Sequence, residues 1–77
     1  MREKLAALQH QFWADWMAYL FSVSTCNENG TYTIPVEKVE RWKRQMQIPY
    51  DGLPESEKES DRELADKMLA ILEDETL

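Results

Sequence analysis

A chain of 77 residues with a net charge of −6 has room for one small domain, and its single cysteine, Cys26, excludes an internal disulfide. No apolar run reaches the ~18 residues of a membrane span, and one histidine with one cysteine makes no Cys/His zinc site. The acidic balance makes duplex nucleic acid an unfavourable partner.

The first predicted element is a long helix over about residues 2–24. This stretch has no Gly or Pro, and Leu5, Leu8, Phe12, Trp16, Leu20 and Val23 recur at helical spacing. A second stripe, Trp13, Met17 and Phe21, lies beside the first. The apolar surface is wider than one partner helix covers, so helix one is expected to be central to a bundle or a dimer interface. A core this small commonly needs outside support, and self-association through helix one is the expected form of it.

Asn27-Glu28-Asn29-Gly30 reads as a turn, because Asn and Gly tolerate positive φ. Residues 31–34 are β-prone and alternate, but the run is short and reads as an extended connector. A second helix is predicted over 35–47, with Pro35 in its first turn and Thr33 as candidate cap. Val36, Val39, Trp42 and Met46 form its apolar stripe. Ile48-Pro49 ends it, since the residue before proline is pushed out of the α region. Asp51-Gly52 turns the chain, and Pro54 opens a third helix over about 54–73. The expected architecture is therefore all-α: a compact, self-associating three-helix domain covering 1–77, with a short extended connector at 31–34.

The third helix begins with interleaved charge. Pro49, Tyr50, Leu53, Pro54, Glu57, Lys58, Asp61 and Arg62 stand at offsets that closely resemble the signature of the ryanodine-receptor repeat domain. The resemblance covers about residues 42–72. The Gly-Trp-Tyr-Gly-like stretch that family members carry upstream is missing, and Leu72 runs into Glu73-Asp74-Glu75 where they close on Leu-Gly-aromatic. The resemblance implies a non-catalytic helical module, associated in some members with adenine-nucleotide recognition. It also implies a bacterial or phage setting in which such a module withholds a nucleotide signal used in host defence.

The ligand candidates are Arg41, Arg44, Tyr50, Lys58, Asp61, Arg62 and Trp13. Aromatic rings stack on bases, and Arg or Lys holds phosphates. For Trp16 and Trp42 the ordinary reading is core packing. The plain alternative for the charged helix is a solvated surface laced with weak ion pairs. His10 lacks a second ligand, Cys26 lacks an activating neighbour, and no nucleophile elbow or phosphate loop is present, so no catalysis and no cofactor are expected. An adenine or cyclic nucleotide is one partner the residues suit. The alternative is a protein-interaction module whose acidic third helix docks on a basic protein: from Pro49 onward, three bases face ten acids. The N-terminus lacks a secretory pattern, and the expected location is cytoplasmic, host cytoplasm for a phage protein.

Overall fold

The computed structural model describes residues 1–76, with side chains through Asp74. The three expected helices are present: α1 (Arg2–Val23), α2 (Val36–Gln47) and α3 (Glu55–Thr76). Between α1 and α2 lie two short strands, β1 (Thr25–Cys26) and β2 (Tyr32–Thr33), and a 3-10 turn (Tyr50–Gly52) precedes α3. The contacts cluster into two compact units. One joins Met1–Ala14 to the chain from Pro54 onward, and the other is Asp15–Leu53.

The strands correct the extended-connector expectation. Thr25 pairs with Thr33 and Cys26 with Tyr32 in an antiparallel hairpin. Residues 31–34 find their partner just upstream, across the Asn-rich turn. The turn is held by Asn27, whose backbone N–H donates to Thr31 O at 2.8 Å and whose O accepts from Gly30 N at 3.0 Å. Its side-chain amide donates to both Thr31 Oγ1 and Thr33 Oγ1, each at 3.0 Å. Asn29 Oδ1 accepts from Thr31 N at 3.1 Å and from Thr31 Oγ1 at 2.6 Å. Thr33 is therefore part of the hairpin and does not cap α2. Pro35 occupies the cap position with no side-chain bond, and its carbonyl accepts from Lys38 N and Val39 N at 3.0 and 3.1 Å.

Proline sets the other boundaries as the sequence implies. Pro49 O accepts from Gly52 N at 2.9 Å, closing the 3-10 turn. Pro54 O accepts from Glu57 N and Lys58 N, each at 3.0 Å, starting α3. Proline suits these places because it has no N–H to leave unsatisfied.

In the unit containing α3, Leu5, Leu8 and Phe12 of α1 and Leu64 and Ile71 of α3 are half-buried. Lys4 Nζ lies 3.9 Å from Asp74 Oδ2, an exposed pair of small energetic weight. In the unit 15–53, Trp42 of α2 meets Trp16 of α1 edge-on at 5.2 Å between centroids. Phe21 of α1 meets Tyr32 of β2 at 4.9 Å. Among the described residues, none is fully buried, and the single chain has no sealed core.

Gly30 has φ +86°, and a Cβ built there meets nothing within 4 Å. The cost of a side chain at this position is therefore one of backbone conformation alone. Gly30→Ala is expected to destabilise the hairpin by about 1–2 kcal/mol, while D-alanine at the same position costs nothing. Thermal melts of the two synthetic variants check this, and equal loss in both would contradict it.

Candidate functional site

The sequence-derived candidates fall into different units. Arg41, Arg44 and Tyr50 belong to the unit 15–53, while Trp13, Lys58, Asp61 and Arg62 belong to the unit containing α3.

In α3 the charges organise around Glu55. Arg62 Nη1 donates to Glu55 Oε2 at 3.0 Å and to Glu59 Oε2 at 3.3 Å. Lys58 Nζ lies 3.7 Å from Glu55 Oε1, and its side chain is only 18% exposed. The pairing runs from an acid in the first turn to bases further along, the orientation that also suits the helix dipole. Arg62 reaches back two turns, a distance only a long side chain covers. Glu59 stands three residues before Arg62, the spacing at which helical side chains meet. Asp61 is exposed on the same helix. The Arg62 hydrogen bond and charge, with the Lys58 charge, hold the Glu55 carboxyl below its ordinary range.

Trp13 is 55% exposed, and its ring lies 5.8 Å from that of His10, tilted by 31°. Tyr50 is 44% exposed in the 3-10 turn. That turn sits close against the end of α2, because a Cβ on Gly52 would lie 3.0 Å from Ile48 Cγ2. Arg41 and Arg44 are exposed one turn apart on α2.

The unit 15–53 also brings together residues that spacing alone did not join. Trp16 and Tyr19, one turn apart on α1, have centroids 5.4 Å apart and are 43% and 39% exposed. Lys38 of α2 donates from Nζ to the Tyr19 hydroxyl at 3.1 Å, and Nζ lies 5.7 Å from the ring centroid. That places an ammonium at the hydroxyl edge of the half-open ring. Arg41 follows Lys38 by three residues and so lies on the adjoining part of α2. Trp16 was read as core. The structure leaves nearly half of it open, and Trp42 supports it from behind. The signal available in the sequence was the pair of i,i+3 spacings, 16 to 19 and 38 to 41. Nothing in the sequence said that the two would meet.

The resulting surface is an aromatic platform edged by cations. It can stack a planar ring and hold negative charge, and it contains no nucleophile paired with a base. Among the described residues there is no group of three or more His, Cys, Asp or Glu side chains placed to hold a metal. Among them, too, no helix is long and apolar enough to cross a membrane. Comparison with protein-family models, curated proteins and solved structures gave no match to the chain.

Glu55 gives a direct test of the α3 network. Its carboxyl is lowered in the folded state, so its pairing is fully present above the ordinary carboxylate value. The pairing is lost as pH falls through the lowered one. Arg62→Ala is expected to return the Glu55 titration, followed by side-chain carboxyl NMR, toward the ordinary range. An unchanged Glu55 titration in that variant would show that Arg62 does not hold it.

Proposed function

We propose that this chain is a non-catalytic binding module that takes a nucleotide-type anion on the aromatic–cationic face of the unit 15–53. The observation that carries the reading is Lys38 set against the half-open Trp16–Tyr19 pair. A nucleobase stacks on such rings, and an ammonium with a guanidinium beside it suits the attached phosphate. α2 is the cationic element of an acidic chain, with Lys38, Arg41, Lys43 and Arg44 against Glu37 and Glu40. Charge so confined favours a compact anion over a long duplex.

The resemblance of residues 42–72 to the ryanodine-receptor repeat supports an adenine or cyclic nucleotide as the ligand class. On this reading the protein acts by holding its ligand, withdrawing a signal from circulation. A phage-encoded copy would blunt a host defence that depends on that signal. Arg44 and Tyr50 would contribute from the same unit as the platform.

A second reading, docking of acidic α3 on a basic protein, is favoured by the Glu55 network. Lys58 and Arg62 are engaged by Glu55 and Glu59 within the helix. The remaining charge of α3 that a partner meets is dominated by acids. Such an association would weaken steeply with salt.

Calorimetry and thermal melts with adenosine monophosphate, cyclic mononucleotides and cyclic dinucleotides decide the first reading. One class is expected to raise the melting temperature by mass action. Lys38→Met, which keeps the aliphatic stem, is expected to weaken that ligand by about tenfold, or roughly 1.4 kcal/mol. Absence of heat and of any melting shift across the panel at high micromolar ligand would reject the nucleotide reading.

A further inference from the structure

The charge of this chain is segregated more sharply than its total implies. Residues 16–33 carry one charged side chain, Glu28, while the other 59 positions carry the remaining 23 of Lys, Arg, Asp and Glu. This run, with Glu28 its one charge, comprises the last eight residues of α1 and the whole β-hairpin. Two aromatic surfaces lie on it. One is the Trp16–Tyr19 platform. The other is Phe21 against Tyr32, 49% and 48% exposed, with the half-buried Met17 one turn before Phe21 on α1. At 3.6 residues per turn, Phe21 lies about 140° around the helix from Trp16. The second surface is thus separate from the proposed ligand face and does not depend on that reading.

We infer that the Phe21–Tyr32 surface is where a second copy of this chain docks. The occupant follows from charge. A protein of net charge −6 meets its own copy at a cost unless the meeting surfaces are neutral, and this is the neutral surface. A basic or acidic partner would find nothing there to pair with, apart from Glu28 at the hairpin turn. Area points the same way. A standard stable interface takes about 20–30 residues a side. The Phe21–Tyr32 surface takes only part of this 18-residue run, so it suits a two-fold self-complementary pair of modest affinity. Phe and Tyr each bring roughly 150–250 Å² of total surface, about half of it open here, and would supply the centre of the contact. The dimer would also give each chain the buried apolar centre that it lacks alone.

Sedimentation equilibrium of the full chain over a wide concentration range tests the inference. A monomer–dimer equilibrium in the micromolar range is expected, with little change between low and high salt because the surface is uncharged. Phe21→Glu and Tyr32→Glu are each expected to weaken the dimer at least about tenfold, with helix content by circular dichroism unchanged. Tyr32 is exposed on a two-residue strand, so its variant remains informative if Phe21→Glu fails to fold. A chain that stays monomeric at every concentration overturns the inference. So does a dimer that both variants leave intact, or one that salt alone dissolves.

Discussion

The T-shaped contact between Trp42 and Trp16 is the contact on which the unit 15–53 depends. It fixes α2 against the second half of α1, and everything proposed for that unit follows from the placement. Lys38 reaches Tyr19 because Trp42, one turn along α2, is already anchored. An aromatic pair of this kind contributes about 0.5–1.5 kcal/mol beyond its buried area. In a large protein that is a detail. Here none of the described side chains is fully buried, and a single ring contact weighs more in so thin an interior.

Much of the fold was legible because proline and glycine punctuate it. Pro35, Pro49 and Pro54 mark helix boundaries to within a residue, and an unbroken periodic run marks α1. The hairpin was not legible. A strand of two residues has no period to detect, and Thr25–Cys26 looks like the frayed end of α1 until its partner is seen. Thr33 looked like a cap because it precedes Pro35, but Asn27 had a competing use for its hydroxyl. In α3, helical spacing brings Glu59 beside Arg62, whereas Glu55 lies seven residues back, where only the length of arginine brings it within reach. Trp16 looked like core because it sits on the main apolar stripe. A stripe says which side of a helix is apolar and not how much of that side a 77-residue chain can cover.

The two units differ in electrostatic character as well as in composition. The unit 15–53 has five acids against four bases and is close to neutral, whereas the other carries most of the negative charge. The proposed nucleotide contact and the proposed contact with a second copy both fall on the nearly neutral unit. The Glu55-centred pairs tie Lys58 and Arg62 to the first turn of the acidic helix. The same division explains why the total charge misleads. An acidic protein is an unpromising host for phosphate until its cations are seen to sit together on one short helix.

Many of the backbone hydrogen bonds of this molecule close within a helix, a turn or the hairpin, while Lys38 to Tyr19 and Lys4 to Asp74 join elements distant in sequence. The local contacts form quickly, because little chain entropy is lost before each is made, whereas Met1–Ala14 must wait for the chain from Pro54 onward. Such a chain would leave its native state often, with a thin interior offering little resistance to opening. Its persistence would then be governed by occupancy, and a bound or paired copy would outlive a solitary one under proteolysis.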